Sequence, residues 1–446
     1  MKLEVSEIKS TIAKLDLNSG AKSTEFTKRR GGKIDGDSFV LSFFLMVFSG
    51  TNTVLSWAMF LCKVTGESIT AQAVQKKLQF RQLKFAEWIL AQSLRKSLIT
   101  NEVSELSTKL FSTFKRVFTQ DSTCVKVPPN LSEFFPSSYS HGKITATARI
   151  QLIMDLLTGT YQHLSVNSFR DNDQKASVDI LPYLQEGDLV LRDLGYWSLR
   201  VFQQIIKTGA YVLSRYKFGV TIFDSQTNIE LDLLSELKLA KSKNISKLDR
   251  RVRLGKKNPI EVRLIAIELP EDVVNERRRK VKQDRNRRNN HSKEYLELLG
   301  WCIFITNVEE EVWAAEQVAE AYTMRWRIEI IFKCWKSKFN FAHLFEKKQS
   351  MTPARALISF YLLLAFLTLF FVRWYDYFLN KVYQATGRII SIFKFADFVK
   401  TFFDELMQSN DLAVLVKNVA SFCKQDKRRR LSQLELFYKT EYQLVI

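Results

Sequence analysis

The spacing of hydrophobic and polar positions predicts a mainly helical beginning to this chain. Over roughly the first 105 residues, apolar side chains recur at helical intervals. The segment 51–78 predicts two helices, TNTVLSWAMFLCK and ITAQAVQKKL, on either side of a turn at VTGES, and Thr70 is a suitable N-cap for the second. Such a pair fits a DNA-binding helix-turn-helix and also an ordinary pair of packed helices, so both interpretations stay open.

Strand patterns begin near residue 112 and alternate with helices up to residue 217. FKRVFTQDSTCVKV (114–127) predicts a strand, and TATARIQLIMDLLTGTYQHLSVNSF (145–169) predicts two more around the Thr-Gly pair at 158–159. A short helix, an apolar strand, an amphipathic helix and another strand follow, in the segments ASVDILPYL, LVLRD, YWSLRVFQQIIKTG and AYVLSRYK. The order β-β-β-α-β-α-β predicts a ribonuclease-H-like domain, in which a meander of strands precedes crossovers that add parallel strands.

Residues 218–300 interrupt that domain. Two apolar runs predict strands, TNIELDLL (227–234) and IEVRLIAIEL (260–269), and a basic segment, NERRRKVKQDRNRRNN, follows them. Its cations are Arg277, Arg278, Arg279, Lys280, Lys282, Arg285, Arg287 and Arg288. They fit a solvated helix or a surface that follows phosphates, and the basic chain favours the second. WCIFITNV (301–308) then predicts a buried strand that resumes the domain.

The segment YTMRWRIEIIFKCWK (322–336) predicts one amphipathic helix. Its apolar face carries Met324, Ile328, Ile331 and Trp335. Within an arc of roughly 80° on the other side lie Tyr322, Arg325, Glu329, Lys333 and Lys336. Ordinary i,i+4 ion pairs would account for Glu329, but they do not explain the tyrosine or the excess of cations on this face. More helices follow beyond about residue 350.

Composition narrows the class of protein. Hydrophobic residues make up 46% of the 446, which is ample for folded cores and excludes a disordered chain. The formal charge of +20 favours a polyanionic partner, with nucleic acid ahead of an acidic membrane surface. The run 357–372 is shorter than the roughly 20 residues that a bilayer requires, so we predict a buried core helix there and no membrane. The N-terminal residues MKLEVSEIKS do not show the pattern of a signal peptide, so we expect none.

Cysteine and histidine offer little chemistry. The five Cys residues lack CxxC spacing and the four His residues are scattered, so we predict neither a disulfide framework nor a zinc site. This usage fits a reducing cytoplasm.

Carboxylates are the better candidates for a metal site, because Mg²⁺ prefers hard oxygen ligands. Glu329 becomes a candidate ligand once its neighbouring cations are taken to hold phosphates around a metal. Asp121 lies on the first predicted strand and Asp193 ends the fourth, and those strands are neighbours in a ribonuclease-H-like sheet. The weaker candidates lie beside turns or in a loop: Asp155, Asp188, Asp171 and Asp173.

The polar face of the 322–336 segment also carries a family resemblance. Tyr322-x2-Arg325-x3-Glu329-x6-Lys336 resembles the YREK signature of DDE transposases of the insertion-sequence-four family, the branch that forms hairpins in cut-and-paste transposition. QDST around Asp121, DLGY after the fourth strand and TN in ITNV resemble that family too. The likeness covers roughly residues 110–345. One departure is that Cys124 replaces a hydroxyl residue in the commoner D-(G/S)-T-T form.

The resemblance implies a catalytic triad of Asp121, Asp193 and Glu329. These carboxylates would bind two divalent metals in each active site, Mg²⁺ with Mn²⁺ as a substitute. The metals would activate water or a DNA 3′-hydroxyl and stabilise the leaving oxygen in phosphoryl displacement.

The resemblance also assigns DNA contacts. Tyr322, Arg325 and Lys336 would hold phosphates of the transposon end, with Lys333 nearby. The family cuts through a DNA hairpin, for which a flipped base stacks on an aromatic ring, and Trp301 stands where the family places that tryptophan. An ordinary core tryptophan remains the alternative. Arg215 resembles a family arginine near the cleaved strand.

The sequence thus predicts an α/β chain in which a five-stranded mixed sheet, ribonuclease-H-like, is interrupted by a β-rich insertion and flanked by helical domains. The predicted units are a DNA-binding domain, the first catalytic part, the insertion, the second catalytic part and a helical, dimerising region: 1–105, 106–217, 218–300, 301–348 and 349–446. The resemblance implies a bacterial, cytoplasmic, nucleoid-associated homodimer that binds double-stranded DNA at terminal inverted repeats and at the target. The alternatives are a metal-dependent nuclease without strand transfer, a transposase-derived DNA-binding protein without cleavage and, more remotely, an inner-membrane protein.

Overall fold

The computed structural model describes residues 15–28, 32–99, 109–137, 145–283, 292–339, 351–408 and 411–426, together with Phe341 and Phe345. The described part begins with five helices: α1 Leu17–Ser23, α2 Gly36–Phe48, α3 Val54–Thr65, α4 Ala71–Lys76 and α5 Phe80–Ile99. The predicted helix pair is confirmed in α3 and α4. Thr70 caps α4 by accepting a hydrogen bond from the Ala73 amide.

A single mixed sheet organises the middle of the described chain. Its strands are β1 Val117–Val127, β2 Ala146–Asp155, β3 Tyr161–Ser168, β4 Leu189–Arg192, β5 Tyr211–Arg215, β6 Ile222–Asp224, β7 Lys247–Leu254, β8 Ile260–Glu268 and β9 Trp301–Thr306. They lie in the order β3-β2-β1-β4-β5-β9-β8-β7-β6. Strands β4 and β5 run parallel to β1, and the other neighbours pair antiparallel. The predicted α/β class with a mixed sheet is confirmed.

Helices pack on this sheet and follow it. Those between strands or after β9 are α6 Leu199–Lys207, α7 Leu233–Ser242, α8 Glu271–Lys282, α9 Lys293–Leu298, α10 Ala315–Thr323 and α11 Trp326–Lys338. Toward the C-terminus come α12 Pro353–Phe366, a π-helical turn at Leu367–Phe371, α13 Val372–Thr386, α14 Ile392–Thr401, α15 Phe403–Gln408 and α16 Leu412–Phe422.

The strands of the insertion, which was predicted to be β-rich, extend the main sheet. Strand β9 pairs with β5 on one side and with β8 on the other, so β8, β7 and β6 continue the sheet outward. The five predicted strands therefore belong to a sheet of nine within the described residues. A strand inside a sheet has backbone hydrogen-bonding groups on both sides, and β9 pairs with β5 on one side and with β8 on the other.

Three local predictions were wrong. TNIELDLL is not a strand, because Asp232 accepts hydrogen bonds from the Leu234 and Ser235 amides and starts α7. ASVDILPYL forms two 3₁₀ turns, Lys175–Val178 and Leu181–Tyr183, rather than a helix. The segment 322–336 is not one helix, since a turn at Met324 and Arg325 separates α10 from α11.

The apolar C-terminal helix lies inside the protein, as predicted. Helices α12 and α13 with the turn between them form a continuous run, Pro353–Thr386, that is long and apolar enough to cross a membrane by length and composition. However, 94% of its most apolar 18-residue stretch is buried inside the protein. It shares one hydrophobic core with the N-terminal helices, as shown by the 5.1 Å contact between the Phe44 and Phe366 rings, and with the apolar side of α11.

Candidate active site

Two neighbouring parallel strands inside the sheet bring the first two carboxylates side by side. Strand β1 carries Asp121, and Asp193 directly follows β4. The strands are parallel, with Thr119 opposite Leu191, so the residues two positions further along each strand come side by side. The convergence predicted for these carboxylates therefore follows from the observed register.

Glu329 joins them from the first turn of α11, and the guanidinium of Arg325 lies among all three acids. Arg325 Nη1 is 3.9 Å from Asp121 Oδ2, and Nη2 is 3.6 Å from Asp193 Oδ1. The same Nη2 is 2.7 Å from Glu329 Oε1. The Arg325 side chain is only 6% exposed. One buried cation therefore contacts three carboxylates that are separated by up to 208 positions in the sequence.

The turn between α10 and α11 gives Arg325 this position. Successive amides in the turn bond to carbonyls three residues back instead of four: Met324 to Ala321, Arg325 to Tyr322 and Arg327 to Met324. Such tighter turns rotate the chain differently from a regular helix. The predicted polar face is consequently split, with Tyr322 ending on α10 and Glu329 projecting from α11.

Burial and charge set the protonation of the site. Burial raises the pKa of Asp121 to about 7, helped by the charges of Glu329 and Asp193, and opposed by the Ser122 amide and by Arg325. Burial lowers the pKa of Arg325, but the surrounding acidic groups outweigh burial, so the net shift is upward. The guanidinium therefore stays charged, while burial makes the Asp121 carboxyl the more ready of the two groups to hold a proton.

The acids fit a divalent metal by their chemistry, although not by their present spacing. Among the residues that the structure describes, no three His, Cys, Asp or Glu side chains lie close enough to form a ready metal cage. Instead of a metal, the Arg325 guanidinium contacts the carboxylates of Asp121, Asp193 and Glu329. The three carboxylates are hard oxygen ligands on neighbouring elements, and one of them has a raised pKa. They suit a divalent cation if the Arg325 guanidinium moves away.

Tyr322, which the sequence places on the same helix face as the cations, is buried. Its side chain is 2% exposed and its ring packs 5.3 Å from that of Phe304. The guanidinium groups of Arg215 and Arg325 lie over the ring at 5.4 and 5.7 Å. Both arginines have a buried Nε that lacks a hydrogen-bond partner. A buried donor without an acceptor is costly, so this cluster is suited to an incoming oxyanion.

Lys336 of the motif and its neighbour Lys333 face outward from α11. Lys333 and Lys336 are exposed, and Lys333 Nζ lies 5.7 Å from the centre of the Trp326 ring. Lys336 approaches Cys124 in β1, where burial raises the pKa of the thiol against the nearby cations. The lysines thus lie on the exposed side of α11, near the three carboxylates but not among them.

Trp301 lies in the core at the start of β9. It is 7% exposed and belongs to a buried cluster with Trp197 and Ile303. Its carbonyl accepts a 3.4 Å hydrogen bond from Arg277 Nη1. The structure does not bring Trp301 into contact with the three carboxylates, and its role in DNA hairpin formation stays a prediction.

The basic segment uses part of its charge internally. Arg277 bonds the Trp301 carbonyl, Arg278 bonds the Leu296 carbonyl, and Lys280 pairs with Glu276. Of the other five predicted cations, Arg279 and Lys282 are exposed on α8. The remaining three, Arg285, Arg287 and Arg288, lie outside the described residues. Within α8, fewer cations are thus available to phosphates than the sequence suggested.

Sequence reasoning missed Asp173, which it assigned to a loop. Asp173 follows β3 in the chain and accepts hydrogen bonds from Ser122, Arg149 and Gln151. A signal was present in Arg149 and Gln151, two polar residues on a strand that is otherwise largely buried.

The chain is similar to known proteins in family profile, in sequence and in structure. The profile of the family described as "Transposase DDE domain" matches residues 112–364. The transposase of insertion sequence element IS231B of Bacillus thuringiensis subsp. berliner is 28% identical over 349 residues, covering 74% of this chain and 71% of that protein. The transposase of IS1151 of Clostridium perfringens is 26% identical over 350 residues, covering 74% and 73%. The structure is also similar to the piggyBac transposase synaptic complex with hairpin DNA, with a TM-score of 0.42 and 10% identity over 96% of this chain and 85% of that one.

Proposed function

The chain belongs to the family of DDE transposases, metal-dependent enzymes that act on DNA, and we propose that it moves its own element by cut-and-paste transposition. In this proposal it cleaves at the inverted-repeat ends, passes through a hairpin and joins the freed 3′ ends to target DNA. The observation that carries the proposal is the meeting of Asp121, Asp193 and Glu329 around Arg325.

The three acids are proposed to hold two Mg²⁺ ions, with Mn²⁺ as a substitute. Bound there, the ions would supply an activated water or 3′-hydroxyl and a counter-charge for the leaving oxygen. Asp121, Asp193 and Glu329 provide and orient the ligand oxygens. Asp121 lies within β1, Asp193 directly follows β4 and Glu329 lies on the first turn of α11, and these regular elements keep the three fixed relative to one another.

Arg325 is proposed to change partners when DNA binds. A phosphate matches a guanidinium in a bidentate manner, so the DNA backbone competes with the carboxylates for this side chain. Its Nε and that of Arg215 are buried donors without an acceptor, which supports a phosphate contact at the Tyr322 ring. Lys333 and Lys336 would extend this contact along the exposed side of α11.

Several finer features belong to the same proposal. The catalytic unit is ribonuclease-H-like, supported by the order β3-β2-β1-β4-β5 and the parallel pairing of β1, β4 and β5. Trp301 captures a flipped base during hairpin formation. The protein works as a homodimer in the bacterial cytoplasm, on double-stranded DNA.

The test uses purified protein with the inverted repeats read from the DNA that flanks its gene. With Mg²⁺ we expect a nick, then hairpin-ended flanking DNA, then a strand-transfer product. Asp193→Asn and Glu329→Gln should abolish every step, whereas Glu320→Gln, an exposed acid on α10, should not. Nicking that survives in the first two variants would refute the assignment of the carboxylates.

The same assay separates the alternatives. A nuclease would cut but yield no joined product. A transposase-derived DNA-binding protein would bind the repeats without cutting them, with Mg²⁺ or Mn²⁺ alike.

A further inference from the structure

We propose that Asp173 is a positioning residue that holds the two catalytic aspartates at a fixed separation. The inference rests on the proposed function, because it concerns the same metal site. Asp173 lies in the loop after β3, and its Oδ1 accepts hydrogen bonds from β1 and from β2. Gln151 of β2 links it further to Tyr196, in the turn that follows Asp193. One carboxylate therefore joins three segments of the chain beside the catalytic edge.

The contacts to β1 and β2 are short. Ser122 Oγ donates to Asp173 Oδ1 at 2.6 Å, Arg149 Nη1 at 2.9 Å and Gln151 Nε2 at 3.1 Å. The Arg149 side chain is 12% exposed and balances the charge of Asp173. Hydrogen bonds to a charged acceptor are stronger than neutral ones, so this contact restrains both strands.

Ser122 transmits that restraint to Asp121. Its backbone amide donates to Asp121 Oδ1 at 2.8 Å, while its hydroxyl is held by Asp173. Neighbouring residues of a strand point to opposite faces, so Ser122 faces Asp173 and Asp121 faces Arg325. Asp173 thus supports the Asp121 carboxylate from behind the sheet, through one residue.

The turn after β4 transmits a matching restraint to Asp193. The Gly195 amide donates to Asp193 Oδ2 at 3.3 Å. The next residue, Tyr196, donates its hydroxyl proton to Gln151 Oε1 at 2.6 Å, and Gln151 Nε2 donates in turn to Asp173 Oδ1. A Cβ at position 195 would lie 3.3 Å from Asp173 Oδ2, so glycine permits this close approach.

Each catalytic aspartate therefore accepts a backbone N–H from a segment that Asp173 holds. Partners of this kind orient metal ligands, and their loss typically lowers metal affinity or activity by about 10–100-fold. Asp173 itself lies behind the sheet, so its role is to position ligands and not to bind metal.

The test is a Mn²⁺ titration of the purified chain, in which electron paramagnetic resonance measures the free Mn²⁺. Urea unfolding in EDTA measures the stability of each variant separately. We expect Asp173→Asn to raise the Mn²⁺ dissociation constant about tenfold. Asp171→Asn is the matched control, an acid of the same loop that pairs with the exposed Lys175, and it should leave Mn²⁺ affinity unchanged. Unchanged Mn²⁺ affinity in Asp173→Asn, with or without a loss of stability, would overturn the proposal, and so would complete loss of Mn²⁺ binding, which would mark a ligand.

Two milder variants keep the proposal testable if Asp173→Asn fails to fold. Ser122→Ala and Tyr196→Phe each remove one donor, and each should weaken Mn²⁺ binding without abolishing it. Ser122→Ala should add little to Asp173→Asn, because both break the same contact; independent, additive effects would refute the linkage. Failure of the proposed function has a different result, in which Asp193→Asn binds Mn²⁺ as well as the unmodified chain does.

Discussion

Arg325 Nη2 lies 2.7 Å from Glu329 Oε1, one helical turn further along the chain. An exposed pair at this spacing would contribute only a few tenths of a kcal/mol. Here the arginine is buried and also approaches the other two carboxylates, so it occupies the space between the acids. A divalent cation and this guanidinium therefore compete for the same oxygens.

Arg325→Gln should bind Mn²⁺ in the absence of DNA at least about tenfold more tightly than the unmodified chain. A fixed cation about 4 Å away repels another by several kcal/mol at an effective dielectric constant of about 20. Mn²⁺ titration in DNA-free buffer measures the effect. The same variant should bind end DNA more weakly, because it loses a phosphate contact.

Lys333→Gln is the control for Arg325→Gln, since it removes an exposed cation of the same helix. It should change Mn²⁺ affinity little. Equal Mn²⁺ affinity of Arg325→Gln and the unmodified chain would contradict the competition.

Asp121→Asn should stabilise the metal-free protein at pH 8 but not at pH 4. The Asp121 carboxyl has a pKa of about 7 in the folded chain against an ordinary 3.8, so the folded state binds its proton more tightly. The resulting stability is fully present below about pH 4 and is lost as the pH rises through 7. We expect a gain on the order of 1–3 kcal/mol at pH 8, measured by urea unfolding in EDTA.

Asp224→Asn should show the opposite sign. Hydrogen bonds from Thr227 lower the pKa of Asp224 to about 2, so its ionised form favours folding at neutral pH. Its replacement should destabilise the protein at pH 8 and have no effect near pH 2. If Asp121→Asn showed the same pH profile as Asp224→Asn, the raised pKa of Asp121 would be wrong.

Gly159→Ala should destabilise the protein by about 3 kcal/mol. Gly159 has φ +68°, and a Cβ there would lie 2.3 Å from Asp376 Oδ2. Asp376 pairs at 2.7 Å with Arg327, which lies two residues before Glu329 on α11. Breaking a buried ion pair of this kind costs about 3–5 kcal/mol. Equilibrium unfolding in urea measures the loss.

Gly66→Ala is the matched control for the backbone contribution. Gly66 has φ +71°, and nothing lies within 4 Å of an added Cβ. It should cost only the strain of a left-handed alanine, about 1 kcal/mol. Equal losses in the two variants would show that the Asp376 contact does not matter.

Trp301→Ala should lower the free energy of unfolding by about 3–5 kcal/mol, because the side chain is 7% exposed in a packed core. In the cleavage assay, at a temperature where the variant stays folded, the first nick should persist while hairpin formation falls. Loss of both steps, or of neither, would instead favour a purely structural tryptophan.

The sequence alone determined much of the local structure around the site. The alternation of apolar residues located β1, β2 and β3, and an apolar run located β4, because strand periodicity depends on nearest neighbours in the chain. The i,i+4 spacing of Arg325 and Glu329 correctly placed them as a contacting pair. Asp121 and Asp193 were singled out for the same reason, from the strand order that these patterns predicted.

Local periodicity could not predict features that depend on distant partners. It treated 322–336 as one regular helix, whereas packing of Tyr322 against Phe304 accompanies a tight turn that splits the segment. It treated residues 218–300 as a separate unit, although the free edge of β9 lets their strands join the main sheet.

Charge balance at the site was likewise decided by tertiary structure. The sequence supplies the three acids, and neighbouring cations suggested phosphate and metal. Only the folded chain shows that one guanidinium contacts all three acids, and that Asp173, 52 positions after Asp121 in the sequence, bonds to Ser122 beside Asp121. Electrostatic interactions act through space between residues far apart in sequence, and burial strengthens them, so no pattern along the chain could have revealed this arrangement.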